Sequence, residues 1–227
     1  MSLQLDFPSV LERWPSFLAG AVLTLELAAF ATVLGALLGT LAAVGRGTHN
    51  ALISGACKVY VETIRNTPLL VQIFLVYFGL ASLGLKLSAF TVAVAALTIN
   101  VGAYTAEIMR AGFEAIPRGQ IEAAEGLALS RLQIYWHIIL LPAIEKVYPA
   151  LTSQFVLLML ASSVCSQISA EELTAVANLL QSETFRSFEV YIVVAVVYLV
   201  LSFLFRAAFW AIGQLVFVRR RRLGTPL

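Results

Sequence analysis

Five long apolar runs limit what this chain can fold into more than any other feature. They cover about Phe17–Val44, Val59–Ser82, Ala89–Arg110, Ile144–Cys165 and Phe188–Val218. Each is long enough to cross a hydrocarbon core of about 30 Å as a helix rising 1.5 Å per residue. Lipid offers no partner to stray backbone N–H and C=O groups, so helices are the expected form of every span. Composition agrees: 60% of the 227 residues are hydrophobic and 12% charged, whereas soluble domains carry about 25% charge. The expected fold is all-α and integral to a membrane. A net charge of +2 is too small to point to nucleic acid.

Basic residues near the span ends set the orientation. With the C-terminus in the cytoplasm, Arg46, Lys58, Arg110, Arg118, Arg131, Lys146 and Arg219–Arg222 lie inside, ten of the fifteen cations. Arg13, Lys86 and Arg186 lie outside, while Arg65 and Arg206 fall within spans. Residues 1–16, with Pro8 and Pro15, form a short polar lead-in outside the membrane and lack the basic start of a cleaved signal peptide. Residues 219–227 form a basic cytoplasmic tail that anchors at lipid headgroups.

The segment between the third and fourth spans, 112–139, is too long for a turn and rich in helix formers. Pro117 suits a helix start, and Ser130 followed by Gln133 is a capping-box pattern that opens a second helix. The expected loop is helix, break, helix. Its first helix places Ala123, Ala124 and Leu127 on one side, flanked by Glu122 and Glu125. Small side chains permit close approach of a partner, and acids meet basic groups there; an ordinary surface helix is the alternative. The outer loop 167–187, with Glu171, Glu172 and Glu183, reads as a surface helix.

Chemistry of its own is hard to place on this chain. There is no Gly-Lys pair for a phosphate loop, no His-Glu-x-x-His and no Gly-x-Ser-x-Gly. His49 and His137 lie far apart, and Ser162, Ser163 and Ser166 have no histidine near them in the sequence. Cys57 and Cys165 are too few for a disulfide framework and lack metal-ligand spacing, so no metal or catalytic site is expected.

Polar residues inside the spans are the remaining candidates. Asn100, Tyr104 and Glu107 recur at helical spacing on one face of the third span. Ionisable groups at such depth face a wet cavity or the bundle. The stripe therefore lines a substrate path or serves as polar glue between helices. Glu107 either accepts from a substrate amine or pairs with Arg110. Glu26, roughly 14 Å into the first span, is a pathway or a pairing residue. Gln72 in the second span, and Gln154 with Ser162 on one face of the fourth, are further lining candidates. Pro68 is expected to break the second span near its centre, Glu62 and Arg65 to pair locally, and Arg206 to snorkel or to pair within the bundle.

Glu122-Ala123-Ala124-Glu125-Gly126-Leu127-Ala128, followed by Ile138-Ile139-Leu140-Leu141-Pro142, resembles the EAA loop of ABC-importer permeases. Four further segments narrow the resemblance to the polar amino-acid (histidine, arginine, glutamate) permeases: Thr24-Leu25, Arg65 to Gln72, Ala103 to Ile108 and Thr184 to Glu189. The likeness runs from about Leu18 to Gly213. It implies that residues 17–218 are an ABC type-1 transmembrane domain with five spans and a cytoplasmic coupling helix. It implies that Glu122, Ala123, Ala124, Glu125, Gly126 and Leu127 dock on a cytoplasmic ATPase. The implied partners are an ATPase pair carrying the ATP and Mg, a second permease copy or homologue, and a periplasmic solute-binding protein. No cofactor is implied for this chain itself, and the implied location is the bacterial inner membrane. Three positions depart from the family pattern: Ala128 stands where a glycine is usual, Pro142 falls one residue late, and Ala161-Ser162 replaces a frequent Lys-Asp pair. The competing reading is an ATP-independent channel or secondary carrier, which would not need the 122–127 helix. An intramembrane enzyme lacks a recognisable constellation.

Overall fold

The computed structural model describes residues 5–217, in which every regular element is helical. Residues 1–4, Val218 and the tail 219–227 with Arg219–Arg222 lie outside the described residues. The elements are α1 (Phe7–Leu11), α2 (Trp14–Arg46), α3 (Ala51–Arg65), α4 (Leu69–Ser82), α5 (Ala89–Glu114), α6 (Arg118–Gly126) and α7 (Arg131–Gln133). A π-helical segment (Ile134–Leu140) leads into α8 (Leu141–Ala161). A 3-10 segment (Ser162–Ile168), α9 (Leu173–Thr184) and α10 (Ser187–Val216) follow.

Four helical runs are long and apolar enough to cross a membrane: α2, α5, the continuous run Arg131–Ile168 and α10. The second expected span is not one helix over Val59–Ser82. It starts earlier, at Ala51, and breaks after Arg65, with α3 and α4 meeting at 113°. Pro68 explains the break: it has no N–H for the Ile64 carbonyl, and its ring crowds that carbonyl. The residues from Asn66 to Pro68 leave the helix, and Pro68 takes an extended conformation as the N-cap of α4.

The core is built on the pairing of α2 with α5. Leu27, Ala31, Ala96, Leu97 and Val101 are buried between them, and the helices approach closely because glycines face the contact. A Cβ on Gly39 would come within 2.5 Å of the Gly102 carbonyl oxygen, and one on Gly35 within 2.2 Å of Val101 Cγ1. The Gly35-x-x-x-Gly39 pattern thus does what small-residue motifs do in membranes, letting backbones touch. The Tyr60 hydroxyl pins α3 to this pair by donating to the Ile99 carbonyl at 2.7 Å.

The outer loop is not a surface helix. α9 buries Leu173, Ala177 and Leu180 in a second cluster with Phe17, Ala21, Ala28 and Val190. Glu172, expected at the surface, is fully buried as its N-cap. Nor is the lead-in merely polar: Asp6 caps α1, and Val10 is buried in the same cluster.

Candidate functional site

The third-span stripe lies along α5 and joins three other helices. At its upper end Asn100 donates to the Gln72 side-chain oxygen at 2.8 Å. Gln72 Nε2 in turn donates to the Ile64 carbonyl at 2.7 Å, the Thr67 carbonyl at 3.0 Å and the Thr67 hydroxyl at 2.8 Å. The Ile64 carbonyl is the acceptor that Pro68 leaves without its helical donor. Gln72 and Asn100 are both buried, so this pair is the polar mortar of the break between α3 and α4.

One turn further along α5, Arg65 lies over the Tyr104 ring at 5.7 Å from its centroid. Below it, Glu107 accepts from Arg46 Nη1 at 2.7 Å, meets Arg65 at 3.7 Å and binds Arg110 of its own helix. Arg110 continues to Glu114. Glu107 therefore pairs with Arg110, as one of the two readings held, and also with two arginines from α2 and α3. Arg65 turns to Glu107 rather than to Glu62, which instead accepts from the Asn66 amide. Three guanidinium groups converge on one carboxylate, so the site keeps excess positive charge. Next to it Arg46, Lys58 and Arg110, with Ser54 and Glu114, line a cleft of about 400 Å³.

The charged end of α5 leads straight into the loop helix. Lys146 of α8 donates to the Ala115 carbonyl at 3.1 Å, capping α5 just before Pro117 starts α6. On α6, Ala124 is buried (4% exposed) while Leu127 is 77% exposed. Glu122, Ala123, Glu125 and Gly126 are exposed too. Ala124 does not share the open face with Ala123 and Leu127. It faces this chain's own core, because α6 packs on the π segment.

α6 ends in a Schellman motif, with the Leu129 N–H on the Ala124 carbonyl and the Ala128 N–H on Glu125. Ala128 takes the left-handed conformation at φ 55°, which explains why a glycine suits this position. Ser130 and Gln133 form the expected reciprocal capping box and restart the helix.

The other candidates lie apart from this cluster. Glu26 is exposed on α2, on the same face as Val22 and Phe30, with no hydrogen bond or ion pair among the described residues. Gln154 is half-buried on α8. Ser162 is fully buried, its hydroxyl donating to the Met159 carbonyl at 2.7 Å, so it lines no open path in this conformation. No cluster of three metal-ligating side chains occurs among the described residues. Sequence reasoning missed Arg46 and Arg65 as partners of Glu107. Their only signal was their position at the ends of helices flanking a buried acid.

Residues 31–217 match the family model described as "binding-protein-dependent transport system inner membrane component". The octopine transport system permease protein OccM of Rhizobium meliloti is 34% identical over 225 residues, covering 95% of this chain and 92% of that protein. The probable glutamine ABC transporter permease protein GlnM of Bacillus subtilis is 42% identical over 165 residues, covering 73% and 76%. A crystal structure of an amino acid ABC transporter with histidines superposes with a TM-score of 0.84 at 37% identity. It covers 93% of this chain and 99% of that one.

Proposed function

The chain belongs to the family of binding-protein-dependent transport system inner membrane components, the permeases of type I ABC importers, and from that premise we propose that it forms half of an inner-membrane pathway for polar amino acids. Two relatives carry octopine and glutamine transport in their names, and the structural neighbour is an amino acid transporter. Those three supports favour a small polar amino-acid substrate over an ion or a sugar.

In this reading a separate ATPase pair supplies the energy, a solute-binding protein supplies the substrate, and a second permease closes the path. The observation that carries it is α6: a short helix with an open acidic and apolar face, held rigidly at the end of α5 by Lys146 and by buried Ala124. A helix so mounted transmits a push from a partner into α5, where Glu107 ties α2 and α3 to the same axis. The path opens and closes only as far as ligands bind its two states differently. Glu26, open on its helix face with no partner among the described residues, is met by the path or by the second permease. The convergence of Arg46, Lys58 and Arg110 near the α6 end supports a cytoplasmic position for that end.

The test is reconstitution of the chain with its ATPase and binding protein in liposomes, followed by uptake of labelled amino acids. ATP-dependent uptake that requires the binding protein is expected. Uptake by this chain without the ATPase would establish a carrier or channel instead.

A further inference from the structure

Arg206 stands ten residues before the end of α10 at Val216, about 15 Å along the axis at 1.5 Å per residue. It is exposed, and it has no hydrogen bond or ion pair among the described residues. Around it α10 turns apolar groups outward: Phe203, Leu204 and Trp210 are all more than half exposed. A guanidinium fixed in such a face is costly without an anion. Its long stem carries the head toward the nearer membrane surface.

That head borders a cleft of about 230 Å³ between α8 and α10, completed by Tyr148, Pro149, Thr152, Ser153 and Trp210. The Tyr148 hydroxyl donates to the Phe209 carbonyl, tying the two helices together along one wall. The Thr152 hydroxyl is buried beside that of Tyr148. The cleft thus gathers a guanidinium, an indole N–H and two hydroxyls, and no carboxylate. Such a set of donors matches the oxygens of a phosphodiester. Tyrosine and tryptophan beside it are the side chains that settle at the headgroup level, and basic pockets between transmembrane helices hold anionic headgroups.

We propose that the α8–α10 cleft binds the phosphodiester headgroup of an anionic phospholipid, with Arg206 as its counter-ion and Thr152 and Ser153 as neutral donors. The proposal rests on the reading above in one respect: the Val216 end of α10 faces the cytoplasm, so the lipid belongs to the cytoplasmic leaflet. A bound lipid there wedges α8 against α10 and neutralises a cation of the last span that has no ion pair among the described residues.

The experiment uses the assembled transporter, stripped of lipid in detergent and titrated with phosphatidylglycerol, phosphatidylcholine or inorganic phosphate, with bound species counted by native mass spectrometry. The wild type should hold phosphatidylglycerol at least about tenfold more tightly than phosphatidylcholine, the scale of one charge-assisted contact. Inorganic phosphate should not displace it. Arg206→Gln should lose the preference and Arg206→Lys should keep most of it, the basic tail being the same in all three. If Arg206→Gln fails to assemble, the pair Thr152→Val and Ser153→Ala should weaken the preference with the charge intact. Equal retention by the wild type and Arg206→Gln would overturn the site. Displacement by inorganic phosphate would assign it to a free anion. Loss of the second permease from Arg206→Gln with lipid binding unchanged would assign Arg206 to a protein carboxylate. The readout is binding, so loss of amino-acid uptake, which tests the transport reading, is a separate result.

Discussion

Gln72 Nε2 donates to the Ile64 carbonyl across 2.7 Å and so supplies the donor that Pro68 cannot. The same side chain accepts from Asn100 on α5, so one glutamine satisfies the broken helix and fastens it to the core. Gln72→Leu removes the partner of the Asn100 amide and leaves the Ile64 carbonyl only the two longer bonds from Thr67, at 3.4 Å. We expect a stability loss of about 2–3 kcal/mol, the cost of leaving buried partners unsatisfied. Adding Asn100→Leu should cost less in this background than in the wild type, since its partner is already gone. Thermal melts of the four proteins in detergent give the answer; strict additivity would deny the bond any role.

Glu107 neutralises guanidinium groups from α2, α3 and α5, and its replacement should show first in stability. Glu107→Gln leaves the arginines facing one another, with Arg110 still paired to Glu114. A loss of about 2 kcal/mol is expected, in the range for a hydrogen bond to a charged group and allowing for partial exposure. Arg46→Gln added to it should recover part of that loss by removing one repelling charge. A double variant less stable than both singles would show that the cluster is not governed by charge balance.

Ala128 holds a left-handed conformation that its Cβ disfavours. Ala128→Gly should stabilise the end of α6 by about 0.5–1 kcal/mol and slow hydrogen exchange at the Leu129 amide, which closes the motif on Ala124. Ala128→Val should do the reverse. Faster exchange in the glycine variant would contradict the assignment of strain.

The two sides of α6 make separable predictions. Ala124→Leu overfills a buried contact and should destabilise the chain by about 1–3 kcal/mol. Glu122→Lys, on the open side, should leave the melting temperature unchanged yet abolish ATPase docking and uptake. Co-purification of the ATPase with each variant separates the cases; full docking by Glu122→Lys would remove that acid from the contact.

Glu172 sits at the N-terminus of α9, and burial pushes its carboxyl above the usual range, against the lowering effect of the Thr174 and Ala175 amides and the Tyr198 hydroxyl. A raised acid favours the protonated folded state. Its stabilising effect is full below the ordinary carboxyl value and fades as pH rises through the raised one. Protection of α9 from proteolysis should therefore fall as pH is raised across that window. Glu172→Gln, which keeps the shape without the charge, should flatten the profile. A profile that keeps its slope in Glu172→Gln would place the titrating group elsewhere.

Periodicity made the α5 stripe legible, because Asn100, Tyr104 and Glu107 must share a face wherever the helix packs. It could not show what they face. Arg46 and Arg65 reach Glu107 from other helices, 61 and 42 positions away, and no local spacing records such a meeting. Pro68 announced a break but not its 113° angle, which depends on how Gln72 and Asn100 close it. The sides of α6 were misjudged at Ala124 because the π segment, not the helix itself, decides which face is covered. Glu172 looked like a surface acid among three, and its burial is made tolerable by the Thr174 and Ala175 amides together with Tyr198, 26 positions on.

Gly39 lies so close to Gly102 that even a methyl group would collide with the facing carbonyl. Two cylinders meshed at that distance have no clearance to screw or slide past each other, and α2 and α5 must travel as one rod. Whatever rearrangement this protein undergoes has to be absorbed at its joints instead: the kink from Asn66 to Pro68, and the turn at Ala128 where the peripheral lever meets the bundle.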